Sequence, residues 1–528
     1  MTQKTIHDGT LILDEARTQG MTISLTTIFC LSLLLIGCER PDPKVTVISQ
    51  SDTTLIAPTP IIANNNVPVT SGSTAQTLPN LPTYVGTPTP DPVLGGQTAA
   101  GGTAVHVVNA GETLGYIAQL YGTSLETILE TNQLDDAQLI YVGQELLVPQ
   151  QSALVGSSFK LIPDSELVLG PLVIGFNIRE VATFFGGYLL TYEQTVEGQT
   201  LAGPEIVDLV AQRHSVNPRL LLALLEYKSG WLTQVSPVET VFSLGYANNN
   251  AANLYQQLSW AANLLNLGFY GRSEGGRRTL ATADGTQLTF AQGINDGTAG
   301  VQTMLAASSD YNRWLTDVGP NGFFATYNRL FGNPFGYSYD PLWPSNLSQP
   351  PLQLPWPSGD TWYLTSGPHG GWNTGSAWAA IDFVPTGEQL GCGQSDAWVT
   401  AMADGVVVRS SFGAVVVDSD GDGFVGTGWA ITYMHLETRD RIPVGTVVQA
   451  GDRLGHPSCE GGFSNATHVH LSRTYNGRWV SADGTIPFNM GGWVAQGSGS
   501  EYDGWLVRGE IIKEACQCWE EINAITRE

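Results

Sequence analysis

The chain has 528 residues, of which 42% are hydrophobic and 13% charged, with 61 Gly and 29 Pro. That length suits about three domains, and the composition suits loop-rich β domains joined by flexible segments. A formal net charge of −25 argues against a nucleic-acid partner, because phosphate binding needs basic patches.

In chain order, the segment MTISLTTIFCLSLLLIGC carries an apolar run followed by small residues, the pattern of an export signal. It is too short for a comfortable membrane span. Met21 is an alternative start, and Lys4 and Arg17 supply positive charge if Met1 is used. The run Leu35-Ile36-Gly37-Cys38 resembles a bacterial lipobox. The resemblance implies that residues 1–38 carry a lipoprotein signal, with cleavage before Cys38, lipidation of Cys38 and anchoring in the membrane. The alternative is an uncleaved N-terminal anchor. Either arrangement places the rest of the chain outside the cytoplasm, at the cell envelope. Residues 39–103 are rich in Pro, Thr, Gly, Asn and Ser and show no period of 2 or 3.6, as expected of a disordered tether. Its average span would be roughly 45 Å.

Order is expected from VHVVNAGETLGYIAQLYGTSLETILETNQLDDAQLIYVGQELLVP. VHVV reads as a strand and AGET as a turn. Leu114, Ile117, Ala118 and Tyr121 recur at helical spacing, and a second short helix starts at Ser124. The closing IYVGQELLVP reads as a turn and a strand. The β-α-α-β order over residues 104–150 resembles the LysM domain along its whole length. The resemblance implies binding of N-acetylglucosamine-containing glycans such as peptidoglycan. It places the ligand between Gly111, Glu112 and Thr113 on one side and Ile140, Tyr141 and Val142 on the other.

Residues 155–345 read as a mostly α region. In EIVDLVAQRHSVNPRLLLALLEYKSGWL two helices are separated by SVNP, with Ser215 or Asn217 as cap and Pro218 in the first turn. VNPRLLLALLEYKSGWLT distantly resembles lytic transglycosylases and goose-type lysozymes. Where those enzymes carry a catalytic Glu before Ser, this chain has Lys228 before Ser229. A lysine cannot serve as a glycosidic acid at neutral pH. Glu226, two residues earlier, falls on another face of the helix. The expectation is a lysozyme-like fold without its acid, acting as a glycan-binding spacer, or else an unrelated helical spacer.

After the Pro-rich stretch LWPSNLSQPPLQLPWPSG the pattern changes to short strands and Gly-rich turns, so residues 350–528 read as an all-β antiparallel domain. Five of the 8 His lie here: His369, His435, His456, His468 and His470. Alternation along a strand puts His468 and His470 on one face. AIDF and ITYMHL also read as strands, which could bring Asp382 and His435 alongside. Two imidazoles and a carboxylate form a normal protein set for catalytic zinc, with two further imidazoles left for proton transfer and charge stabilisation. These residues resemble the lysostaphin-like zinc metallopeptidases that cut peptidoglycan peptides. The common form has three residues between its first His and the Asp, where this chain has Trp378. The β-lytic and LasA-type branch has a longer gap across a Gly-rich loop, and twelve residues separate His369 from Asp382 here. The resemblance runs from Trp362 to about Ser481. It implies that His369, Asp382 and His470 bind Zn2+, while His435 and His468 hydrogen-bond the attacking water and the oxyanion.

VVVDSDGDGFVGTGWAITYMH adds Asp418, Asp420 and Asp422 before Gly423, the first half of a calcium loop. The twelfth position is Trp429 rather than a bidentate Glu, so the segment is either a Ca2+-stabilised hairpin or a solvated acidic turn. Of the four C-terminal Cys, Cys392 and Cys459 flank the histidine-rich region and form the favoured disulfide. Cys516 and Cys518 are two apart, a spacing expected to strain a bridge; all four could instead be free buried thiols. Together these features describe an exported, membrane-anchored zinc endopeptidase, held on peptidoglycan by LysM, that cleaves peptide cross-links. The competing descriptions are a non-catalytic peptidoglycan-binding or regulatory lipoprotein with a degenerate peptidase fold, and an endopeptidase acting on Gly-rich secreted proteins.

Overall fold

The computed structural model describes residues 97–98, 103–108, 112–121, 123, 125–134, 140–141, 143–149, 154–387 and 391–528. The export signal, Cys38 and most of the tether lie outside the described residues, as do Gly111 and Val142; near the tether's end, Gln97–Thr98 form a short strand paired with Leu154–Val155 rather than a disordered segment.

In the first ordered segment, β1 (Thr103–Val107) pairs antiparallel with β2 (Glu145–Pro149). Two short helices, α1 (Leu114–Tyr121) and α2 (Leu125–Asn132), lie between them in sequence. The spacing of Leu114, Ile117 and Ala118 puts all three on one helical face. That face is buried with Ile128, Leu146 and Val148 as a small core of its own. Asn132 closes the unit. Its amide donates to the Leu147 carbonyl (2.6 Å) and accepts from the Leu147 N–H (2.7 Å), tying the end of α2 to the free edge of β2.

The helical region contains α3 (Ile178–Phe185), α4 (Gly203–His214), α5 (Pro218–Ser229), α6 (Leu254–Ser273), α7 (Asp296–Ala307), α8 (Tyr311–Asp317) and α9 (Phe323–Phe331). The SVNP break is made by Ser215 in the left-handed region (φ 50°) and by Asn217, whose side chain accepts from Arg219 N at 2.9 Å. Pro218 then starts α5, where a missing N–H is harmless. A Cβ on Gly268 would lie 2.6 Å from the Ala299 carbonyl oxygen, so glycine allows α6 and α7 to pack backbone against backbone. The buried Arg219 guanidinium grips Glu166 bidentately (2.8 and 3.0 Å), and the Tyr327 hydroxyl donates to the same carboxylate. Such a pair tolerates burial only because its hydrogen bonds are filled.

The β region is built on an antiparallel sheet. Its strands are β3 (Thr361–His369), β4 (Ala380–Pro385), β5 (Gly405–Ser411), β6 (Ala414–Asp418), β7 (Trp429–Met434), β8 (Val447–Val448), β9 (Val469–Tyr475) and β10 (Ala524–Thr526). The order across the sheet is β8-β5-β6-β7-β9-β4-β3-β10. β6, β4 and β9 are almost wholly buried; burial of both faces explains the near-continuous apolar runs of β6 and β4, while β9 keeps an alternating, partly polar sequence. A second sheet of four short strands spans residues 489–514. It approaches β3 closely: a Cβ on Gly367 would lie 2.5 Å from the Asp503 carbonyl carbon. Cys392 and Cys459 are bonded, with Cα atoms 5.7 Å apart. Cys516 and Cys518 are bonded as well, with Cα atoms 5.2 Å apart.

The helical and β regions share one core. Ala377, Ala379 and Trp479 are buried among the helical side chains. Trp479 N donates to Tyr270 OH (2.9 Å), Trp479 Nε1 donates to the His214 carbonyl (3.2 Å), and Ser215 Oγ donates to the Gly477 carbonyl (2.6 Å).

Candidate active site

The central strands bring the sequence-predicted residues together. Asp382 on β4 stands directly opposite His470 on β9, and His470 in turn stands opposite Met434 on β7. His369 ends β3, where a register shift between Ala380 and Asp382 breaks the ladder. Such a bulge re-aims side chains next to active sites. His435 lies one residue beyond β7 and His468 one residue before β9. His435 has φ 64°, a conformation rare for a bulky side chain and concentrated at functional sites. Its backbone carbonyl is held by Ser458 N (2.6 Å) and Ser458 Oγ (2.9 Å).

Three atoms converge in this buried site. His369 Nε2 and His470 Nδ1 are 3.0 Å apart, and each lies close to Asp382 Oδ1, at 3.2 and 3.1 Å. The opposite nitrogen of each ring faces a carbonyl: His369 Nδ1 is 2.8 Å from Gly367 O, and His470 Nε2 is 3.0 Å from Gly371 O. Those contacts require the outer nitrogens to carry protons, which leaves lone pairs on the two converging nitrogens. Two lone pairs and a carboxylate oxygen at such distances repel unless they share a cation. The edges of the triangle are close to those of a tetrahedron with ligands about 2.0–2.1 Å from a zinc ion. The donor set therefore fits zinc. Burial pushes His470 below its ordinary value and so keeps it neutral. Burial alone would raise Asp382, but the neighbouring His369 and His468 hold it well below the usual carboxylate range.

His435 and His468 form the second half of the site. Their rings are 4.4 Å apart, and the His435 ring is 6.1 Å from that of His470. His435 Nδ1 is tied to Glu460 O (3.0 Å) and His468 Nδ1 to Ala466 O (2.8 Å). His468 Nε2 is 3.9 Å from Asp382 Oδ2. In both rings Nε2 remains to accept or return a proton. Burial, followed by the nearby His468 and His470, pushes His435 well below its ordinary value. The fifth histidine, His456, stands apart: it packs on Trp398 (4.0 Å) and faces the Ala397 carbonyl.

Sequence reasoning missed Tyr502, which stacks on His369 at 4.7 Å and 21°, and Glu501, whose carboxylate accepts from Gly370 N at 3.2 Å. The stretch SGSEYDGW has no pattern that would have marked them.

Asp418, Asp420 and Asp422 cluster with ligand atoms within 4.8 Å of one another. Asp418 is fully buried and accepts from Asp420 N and Gly423 N. Around the first β-α turn of the N-terminal segment, Tyr141 is 70% exposed. Val108 N donates to Gln144 O and Gly143 N to Val108 O, which ties the end of β1 to the turn containing Tyr141. Ile140 is half-buried and Thr113 exposed. The Glu112 carboxylate turns inward, 2.8 Å from His106 Nε2.

Residues 106–149 match the model of the LysM domain, and residues 160–343 match that of "LasA, N-terminal domain". Protease LasA of Pseudomonas aeruginosa is 28% identical over 294 residues, covering 51% of this chain and 66% of the relative. The N-acetylmuramoyl-L-alanine amidase XlyA of Bacillus subtilis is 32% identical over 123 residues, covering 22% of this chain and 41% of that protein. The alignment thus spans just under two thirds of the LasA relative's length. Among solved structures, the deep-sea M23 metalloprotease pseudoalterin is 26% identical, covering 35% of this chain and all of that one, with a TM-score of 0.27. The catalytic domain of lysostaphin from Staphylococcus simulans is 24% identical, covering 23% of this chain and 87% of that one, with a TM-score of 0.17. The chain carries a LysM domain and, after it, a region similar to LasA protease.

Proposed function

We propose that this protein is an exported, zinc-dependent endopeptidase that cleaves peptide cross-links of peptidoglycan and is held on its substrate by LysM. The observation that carries the reading is the meeting of His369 Nε2, Asp382 Oδ1 and His470 Nδ1, with both outer imidazole nitrogens tied to carbonyls. Likeness to a protease and to an amidase named for an N-acetylmuramoyl-L-alanine bond supports cell-wall peptide as the substrate class. Residues 350–528 form the peptidase in this reading, and residues 104–150 bind glycan around Thr113 and Tyr141. Cys38 carries the lipid anchor, and the Asp418, Asp420 and Asp422 cluster takes calcium.

The residues divide the chemistry. His369, Asp382 and His470 would hold zinc, which when bound acts as a Lewis acid toward the scissile carbonyl and lowers the pKa of water. His435, kept neutral by burial, accepts a proton at Nε2. His435 then returns that proton to the leaving amine, while His468, which donates from Nε2 when protonated beside Asp382, hydrogen-bonds the developing oxyanion. Their Nδ1 contacts fix both rings so that neither has to reorient during the reaction.

Metal analysis and digestion of purified peptidoglycan, with mass analysis of the fragments, test the reading. Wild-type protein should contain about one zinc per chain in the three-ligand site and release fragments cut within peptides. His470→Ala should lose zinc and turnover, whereas His468→Ala should keep zinc and lose turnover. Wild-type zinc content and intact activity in His470→Ala would sink the assignment.

A further inference from the structure

A cavity lies where the helical region meets the β5-β6-β7 face of the sheet. Its volume is about 220 Å³. Its walls combine apolar side chains, among them Val173, Phe176, Val416 and Phe424, with polar ones such as Gln212 and Thr432. Two charged residues of opposite sign also line it, Arg409 and Asp208. None of these residues belongs to the zinc and histidine site.

Arg409 is the anomaly. It is 8% exposed, and its Nε and Nη2 atoms are buried without a hydrogen-bond partner. The β5-β6 ladder shifts register between Val407 and Arg409, and such a bulge turns the following side chain to a new direction. Burying an unpaired guanidinium is expensive. The adjoining Arg213 adds to the cost, because it is a second buried cation, already committed to Glu197 (2.8 Å) and to Tyr255 OH. The folded protein thus holds a desolvated cation that Asp208 and Glu197 reach only through space, with Nε and Nη2 unbonded, which leaves those donors open to an anionic ligand. Asp208 reaches the cavity from the exposed face of α4, with Gln212 Nε2 donating to it at 2.7 Å. It carries the charge needed at the opposite pole.

We propose that this cavity binds a small zwitterion with an apolar side chain, a free amino acid or a short peptide terminus. Arg409 takes the carboxylate, Asp208 takes the ammonium and the apolar wall takes the side chain. The volume is below the range of about 300–1,000 Å³ common for drug-sized ligands, which suits an occupant of one or two residues.

Calorimetric titration of the full-length protein with L-leucine, N-acetyl-L-leucine and L-leucinamide tests this. L-Leucine should bind, N-acetyl-L-leucine more weakly, and L-leucinamide least. Arg409→Met removes the buried charge while keeping the stem. It should bind L-leucine at least about tenfold more weakly, as expected for loss of one partner of a buried charge pair. Asp208→Asn should weaken L-leucine and leave N-acetyl-L-leucine unchanged; it also serves as the test if Arg409→Met fails to fold. No binding of any of the three ligands at millimolar concentration, or unchanged L-leucine affinity in both variants, overturns the proposal. Zinc content and peptidoglycan digestion are read separately, so failure here leaves the zinc reading intact.

Discussion

His369 is oriented by more than its place in a motif. Gly367 O fixes one nitrogen, and Tyr502 covers a face of the ring. Outer-shell groups of this kind tune metal affinity by about 10–100-fold. Tyr502→Ala should therefore weaken zinc binding by at least about tenfold, read by competition with a chromogenic chelator, while the far-UV circular dichroism spectrum is unchanged. Unaltered affinity would reduce Tyr502 to a packing residue. That His369, Asp382 and His470 would converge was legible in the sequence because they carry metal-ligand chemistry at recognisable spacing. Tyr502 was not, because stacking on a distant ring leaves no trace in local sequence. Asp418 is a second residue whose setting matters. Burial, with the adjacent Asp420, pushes its carboxyl up to about 7. Between the ordinary carboxylate value near 4 and about 7, the folded protein holds a proton that the unfolded chain has released. Stability from this group therefore falls as pH rises through that window. Relative to Asp418→Asn, wild-type protein should lose thermal stability between pH 5 and 7.5 in calcium-free buffer and regain it on adding calcium at pH 7.5. A calcium response equal in the two proteins would exclude Asp418 as a ligand.

At the scale of the element, α5 shows what periodicity reveals and what it conceals. The cap at Asn217 and the start at Pro218 were readable, since both are local backbone chemistry. The role of Glu226 was not. Its carboxylate accepts from Leu232 N (3.1 Å), Thr233 N (3.1 Å) and Thr233 Oγ1 (2.6 Å), and from Arg329 Nη2 (3.0 Å). This buried side chain closes the loop after α5 and pins α9 beside it. Deleting it strands the Leu232 N–H and removes the carboxylate that Arg329 and Thr233 Oγ1 bond, while Thr233 N keeps the Gly230 carbonyl (3.3 Å), so Glu226→Ala should cost about 2–4 kcal/mol of stability, measured by urea unfolding. Glu226→Gln should lose less, because it retains an acceptor. Neither change should alter the rate of peptide-bond cleavage. A variant that keeps full stability but loses turnover would give Glu226 a role in substrate handling instead. β9 makes the complementary case. Alternation put His468 and His470 on one side, and the register opposite Asp382 came only from the pairing of β4 with β9. Strand order depends on contacts between segments far apart in the chain, which a window of sequence does not contain.

The same limitation governs the whole molecule. The Pro-rich stretch before β3 reads as a boundary between independent modules, yet the core runs across it. Trp479 from the β region is 3% exposed within the helical core. Gly375 sits so tightly on α6 that a Cβ there would lie 2.0 Å from the Asn263 carbonyl oxygen. The Gly-rich loop that separates His369 from Asp382 is thus braced by helices from the preceding region. Gly371, whose carbonyl fixes His470, would also meet the Trp479 ring if it carried a Cβ. Residues that contact the helical region therefore also shape the His369, Asp382 and His470 cluster, and the two regions should unfold as one cooperative unit. Calorimetry should show one endotherm for them, separate from that of the LysM core. Trp479→Ala removes a buried ring worth about 3–5 kcal/mol at the seam between the regions, and should split that endotherm into two. Tyr270→Phe, which removes only the acceptor for Trp479 N, should cost about 1–3 kcal/mol and leave a single transition at lower temperature. If Trp479→Ala unfolds in one unshifted transition, the shared core does not couple the regions, and the brace on the metal-site loop must come from elsewhere.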